Sequence, residues 1–278
     1  MLGTTAHATT TLEERKLPMN FTWHEAQENA CRQDCSGWIA AVGVITSDTP
    51  AKFNEFSSGR NLKGTTVVLD SSGGSVLDAI TLGRRWRDLG LRTTVGIVIE
   101  RPLAGGAVAR DIVPDAYCES MCVFLLLSGN ARTVPSGAHV RVHQIWMGDR
   151  ADDAKASSYS AQDLMIVQRD IGRLAKYTFD MGGSGELLLL ALNVPPWERL
   201  YELSAVELRV TNLVTMDAVA DARIVKDADV TGAAPKPIQD RFAGEADGSA
   251  KGAQFKSGTK TAEASATGGA LAANSDRK

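Results

Sequence analysis

The run Met121-Cys122-Val123-Phe124-Leu125-Leu126-Leu127 constrains this chain more than any other stretch. Seven consecutive apolar side chains leave a helix no polar face for water, so the run predicts a short buried helix, ended by Gly129, with Ser120 at its start. Strand and helix signals alternate around it. Residues 38–45 read as a first strand, and Thr49 reads as the cap of a helix with Pro50 at its first position and Phe53 and Phe56 beneath it. Residues 65–70 form the next strand, 75–87 a helix carrying Val76, Ile80, Leu82 and Trp86, and 92–99 another strand. Residues 132–134 and 138–145 read as a pair of short strands, and 161–177 as a helix with Leu164, Ile166, Val167, Ile171 and Leu174 at near-helical spacing. The alternation predicts an α/β fold of stacked βαβ units.

With 278 residues and 44% hydrophobic content, the chain can build one large α/β core. The expected organisation is a flexible N-terminal segment at 1–20, an α/β domain over 21–230 and a disordered tail over 231–278. The tail is rich in Gly, Ala, Ser, Thr, Lys and Asp, and cannot bury enough apolar surface to offset its ordering entropy. A net charge of −3 gives no electrostatic reason to expect nucleic acid or an anionic membrane as partner. No stretch reaches the roughly eighteen apolar residues of a membrane span.

Three pieces of sequence carry chemistry. In Leu69-Asp70-Ser71-Ser72-Gly73-Gly74, a strand-to-helix turn has glycines that allow backbone N–H groups to face a negative ligand or a developing oxyanion. A connecting turn is its structural alternative. Ser120 opens the apolar helix, beside unpaired N–H groups and the positive end of the helix dipole, where nucleophilic attack that creates negative charge is favoured. Its structural alternative is an N-cap serine. In residues 138–144, alternation puts His139, Arg141 and His143 on one strand face and Ala138, Val140 and Val142 on the other. Only four histidines exist, and His7 and His24 lie near the N-terminus, so a general base must be His143 or His139.

Together, the Ser-Ser-Gly-Gly turn, the Ser-Met opening of an apolar helix ended by Gly129, and the Val142-His143-Gln144 strand resemble the proteolytic subunit of Clp protease. That family consists of serine peptidases of the crotonase-like superfold. The resemblance covers about Trp38 to Val214 and is closest to divergent extracytoplasmic Clp-like proteins, in which cysteines flank the serine as Cys-x-Ser-x-Cys. It implies Ser120 as nucleophile, His143 as general base, and Gly74 and Met121 as donors of the oxyanion-hole N–H groups. It further implies peptide or protein substrates, a homo-oligomer and no cofactor. The serine-lysine peptidases of the superfold fit less well, since no lysine stands in a recognisable base position.

Two departures from the pattern stand out. The position of the family's histidine-orienting acid, four residues before Ser204 of Leu203-Ser204-Ala205, holds Leu200, which leaves the nearby Glu198 and Glu202 as substitutes. A weak or inactive relative that binds extended peptides is therefore the alternative function. The second departure is an insertion over 100–117, expected as a lid or a specificity wall.

The cysteines form two equally spaced pairs, Cys31/Cys35 and Cys118/Cys122. The three-residue gaps and the lack of a suitably spaced histidine argue against a metal site. In an oxidising compartment they form disulfides, within or between pairs; in a reducing one, Cys122 is a small core residue. Residues 1–16 lack the apolar core and basic start of a signal peptide, while Ala6-His7-Ala8 has the form of a signal-peptidase site, so the chain is expected to start late. The resemblance and the cysteine pairs favour a periplasmic location; a chain complete as given favours the cytoplasm.

Overall fold

The computed structural model describes residues 14–25, 37–102, 108–147 and 159–216. A 3-10 helix at Glu14–Lys16 leads into β1 (Asn20–Glu25), followed by β2 (Gly37–Val42), α1 (Thr49–Ser57), β3 (Thr66–Asp70), α2 (Val76–Asp88) and β4 (Arg92–Val95). Next come β5 (Ile97–Pro102), β6 (Val108–Val113), β7 (Tyr117–Glu119), α3 (Met121–Leu127), β8 (Arg132–Thr133) and β9 (His139–Val142). The described chain closes with α4 (Ala161–Asp180), α5 (Gly185–Leu192), β10 (Tyr201–Glu202) and α6 (Ala205–Val210). The architecture is mixed α/β with a mostly parallel main sheet, ordered β1-β2-β3-β4-β8, in which only β1 runs antiparallel to its neighbour.

The parallel strands β2 and β3 carry short apolar runs because both their faces are covered. Val67, Val68 and Leu69 of β3 are buried, and Phe53 of α1 packs edge-on against Phe21 of β1 and Trp86 of α2. The apolar run forms α3, and every one of its seven side chains is buried, as its composition requires. Tyr177 of α4 reaches α3 through a hydrogen bond from its hydroxyl to Phe124 O, 2.9 Å. A Cβ at Gly83 of α2 would collide with that hydroxyl, so a glycine is required where α2, α3 and α4 meet.

A second, three-stranded sheet, β10-β9-β7, positions the candidate site. β7 and β9 are parallel, with Cys118 opposite Val140 and Glu119 opposite Arg141. A bridge between Ser71 and Cys118 joins this sheet to the end of β3.

Several local expectations are corrected. Residues 132–134 and 138–145 do not pair with each other: β8 extends the main sheet beside β4, while β9 lies between β7 and β10. Asp48, not Thr49, is the residue before α1. The strand read over 92–99 divides at Gly96, where a Cβ would press on Ile112, and its second half joins the insertion. That insertion includes an antiparallel ribbon, β5 with β6, cross-linked by Arg101 to Asp111 and Arg110 to Glu100. Within the segment expected to be flexible, Arg15 is buried at 6% exposure. On α4 the expected stripe divides: Leu174 is buried, Leu164 exposed. Residues 1–13 and the tail over 231–278 lie outside the described residues, as do Cys31 and Cys35. No described helix is long and apolar enough to cross a membrane.

Candidate active site

Ser120 makes the step from β7 to α3 with φ +56° and ψ −122°. Among the described residues only Asn212 shares a positive φ outside glycine, and asparagine tolerates such angles. A serine held there stores about 1–3 kcal/mol of strain, which the surroundings must enforce. Ser75, Ser160 and Ser204, which open α2, α4 and α6, have ordinary negative φ and accept a backbone N–H with their side chains. Ser120 makes no such cap bond, so the N-cap alternative does not account for its hydroxyl.

The enforcing contacts come from both sides. Ser120 N–H donates to Arg141 O of β9 at 2.9 Å. Gly73 presses on the serine so closely that a Cβ there would lie 2.7 Å from Ser120 Cβ and 2.9 Å from Met121 N. Gly73 (φ +89°) and Gly74 (φ +136°) adopt backbone angles that suit glycine alone, and a Cβ on Gly74 would strike Ile45 O. The turn is sewn in place by Ile45 N–H to Gly73 O (2.7 Å), Ser75 N–H to Ile45 O (2.9 Å) and Glu119 N–H to Ser71 O (3.0 Å). A disulfide between Cys118 and Cys122, both fully buried, closes a covalent loop around Glu119, Ser120 and Met121.

Among the described residues, the N–H groups of Gly74 and Met121 donate no backbone hydrogen bond. For Met121 this follows from its place in the first helical turn. The turn and the helix start therefore bring two unpaired donors to the neighbourhood of the serine.

His143 follows β9 directly and lies two residues beyond the carbonyl that holds Ser120 N–H. Its Nδ1 lies 2.7 Å from Gln144 O, which assigns the proton to Nδ1 and leaves Nε2 as the basic nitrogen. The ring sits 4.5 Å from that of Trp146. Burial lowers its pKa below the ordinary 6.5, opposed by the bond to Gln144 and by Glu119. The imidazole is thus neutral at pH 7. Ser120 Oγ and His143 share no hydrogen bond among the described residues.

The two acids considered as orienting groups are placed elsewhere. Glu202 engages His139 Nδ1 at 2.7 Å and Arg141 at 3.1 Å, while Glu198 is exposed near the end of the α5–β10 connection. A backbone carbonyl occupies the position on His143 that an acid fills in a triad. His139 is stacked on Tyr117 at 4.6 Å and bound to Glu202, so of the two candidate bases His143 is the one with no hydrogen bond to a carboxylate among the described residues.

Sequence reasoning missed an ionic cluster next to the site. Arg15 contacts Glu119 at 2.6 Å and Asp70 at 3.3 Å, Arg141 contacts Glu119 at 3.2 Å, and Tyr117 N–H donates to Asp70 Oδ1 at 3.0 Å. An aspartate ending an apolar strand was the available signal for Asp70. Nothing local marks Arg15. Among the described residues no group of three or more His, Cys, Asp or Glu could hold a metal ion. No family model matches this chain, and no curated protein matches it.

Proposed function

We propose that this protein is a Clp-like serine peptidase or related hydrolase of the crotonase-like superfold, acting on peptide or protein substrates. The observation that carries the reading is the backbone of Ser120, a non-glycine residue strained at a helix start with its hydroxyl uncommitted to the cap. Ser120 Oγ attacks the substrate carbonyl and its proton passes to His143 Nε2. Gly74 and Met121 N–H groups receive the oxyanion. The imidazolium then protonates the leaving amine, and water activated by the same nitrogen releases the acyl group and restores the serine.

The Gln144 carbonyl fixes the tautomer of His143 without the charge that an aspartate would contribute. In the serine-protease template, loss of that charge lowers turnover about ten-thousandfold without abolishing it, so hydrolysis here is slow. Exposed Leu164 and Met165 on α4 fit a homo-oligomer, and the Cys118–Cys122 disulfide fits an oxidising compartment such as the periplasm. The absent Ser120–His143 hydrogen bond favours a second reading, a relative that only binds extended peptides in the same cleft.

Hydrolysis of an activated ester and of an unfolded polypeptide separates the two. The hydrolase reading expects turnover that disappears in Ser120→Ala and drops sharply in His143→Ala, with saturable peptide binding retained. Peptide binding without turnover of either substrate, at any pH between 6 and 9, would leave the binding reading.

A further inference from the structure

Two carboxylates stand immediately before the two halves of the candidate site. Asp70 ends β3 and precedes the 71–74 turn; Glu119 ends β7 and precedes Ser120. One guanidinium, that of Arg15, lies 3.3 Å from Asp70 Oδ1 and 2.6 Å from Glu119 Oε2. The Asp70 contact is an ion pair without hydrogen-bond alignment, since Arg15 Nε has no hydrogen-bond partner. The side chains of Arg15 and Asp70 are 7% and 0% exposed, so the charges meet out of water. Without the cation, a low-dielectric interior would strongly oppose two facing acids.

Asp70 also ties the two halves together, because its Oδ1 accepts Tyr117 N–H at 3.0 Å. Backbone bonds continue that seam: Ser71 N–H to Tyr117 O at 2.8 Å and Glu119 N–H to Ser71 O at 3.0 Å. Yet Asp70 Oδ2 is buried with no hydrogen-bond partner. An aspartate enclosed with an orphaned oxygen is a poor element for stability alone.

We propose that Arg15, Asp70 and Glu119 form a positioning clamp: Arg15, carried by the N-terminal 3-10 helix, draws the two acids together and so fixes the oxyanion turn against the nucleophile. The inference rests on the hydrolase reading and deepens it. None of the three residues touches substrate; they act through Gly74 and Ser120.

The clamp needs Asp70 ionised. Burial pushes its pKa up to about 6; Tyr117 N–H and Arg15 oppose the rise, Glu119 and Glu14 add to it. These groups face it from the 3-10 helix and β7, while its partner across β2 is the apolar Val42. As pH falls through about 6, Asp70 takes up a proton and the clamp opens; His143, whose pKa burial also lowers, titrates as a separate group.

The test is the rate of phosphonylation by a fluorophosphonate between pH 4.5 and 8, with amide hydrogen exchange at Ser71, Tyr117 and Glu119. The wild-type rate is expected to fall as pH drops through about 6. Asp70→Asn should react about tenfold more slowly at pH 7.5 and lose that limb, keeping only the one that belongs to His143. In Arg15→Met the limb should move to higher pH, because a charge opposing protonation is gone, and Arg15→Lys should restore part of the rate. All three amides should exchange faster in Asp70→Asn and Arg15→Met while α3 stays protected. Wild-type rates, pH limb and protection in both variants would overturn the clamp, as would protection lost throughout α3 with the limb unmoved. If the wild type is not phosphonylated but the three amides still loosen selectively, the clamp stands and the hydrolase reading falls.

Discussion

The two ends of α3 are built to opposite standards. At the C-terminal end nearly every carbonyl has a donor: Arg87 reaches Leu127, Ser128 and Met181, and Arg132 reaches Leu127, Gly129 and Asn212. Thr93 and Ser128 hydroxyls add bonds to Leu126 O and Leu125 O. Two cations at a helix C-terminus also complement its dipole. Burial lowers the Arg132 pKa to about 10, which still leaves it charged at neutral pH. At the N-terminal end a serine is strained, a helix N–H is unpaired and a neighbouring buried carboxylate has an orphaned oxygen. One end is finished for stability, and the other retains polar groups that a ligand can complete. Such local violations of otherwise consistent structure are where function is expected.

The sharpest way to break this contrast is Ser120→Gly. It should abolish turnover, a loss of more than about a thousandfold, while raising unfolding free energy by about 1 kcal/mol as the strained angle becomes easy. Turnover assays beside thermal melts would check both; a destabilised variant would mean the angle is not strained. Arg132→Met probes the other end. It should lower stability by about 3 kcal/mol, because several buried carbonyls lose a charged donor, while the phosphonylation rate per folded molecule stays at the wild-type level. Chemical denaturation gives the first quantity, and the same rate measured well below the transition gives the second. The smallest effect should come from the double change Cys118→Ala and Cys122→Ala. Closing so short a loop contributes about 2 kcal/mol on chain-entropy grounds, and the loss should fall on the Ser120 end, slowing phosphonylation as well. A stability loss with no change in rate would confine the bridge to a structural role.

What could be read from the sequence follows the same division. The buried helix was legible because seven apolar residues in a row allow little else, and the Gly73-Gly74 turn because two glycines end a strand. The glycines' tight contacts with Ser120 and Ile45 could not be read, since residue type says nothing of which distant backbone approaches. The partners of β8 and β9 were not legible, since strands of two and four residues carry no information about which sheet they join. Arg15 was hidden for a related reason: its two acids lie 55 and 104 residues away, counted as 70 − 15 and 119 − 15, so no local pattern links them. The engagement of Glu202 with His139 in place of His143 was equally a matter of register, fixed by the pairing of Glu202 with Arg141 across β10 and β9.

The measurement that bears most directly on a reactive N-terminal end is peptide mapping of the protein after fluorophosphonate treatment at pH 7.5. The account predicts a single adduct on Ser120, absent from folded His143→Ala over the same interval. An unmodified Ser120 in folded protein, or adducts scattered over exposed serines and unaffected by His143→Ala, would contradict it.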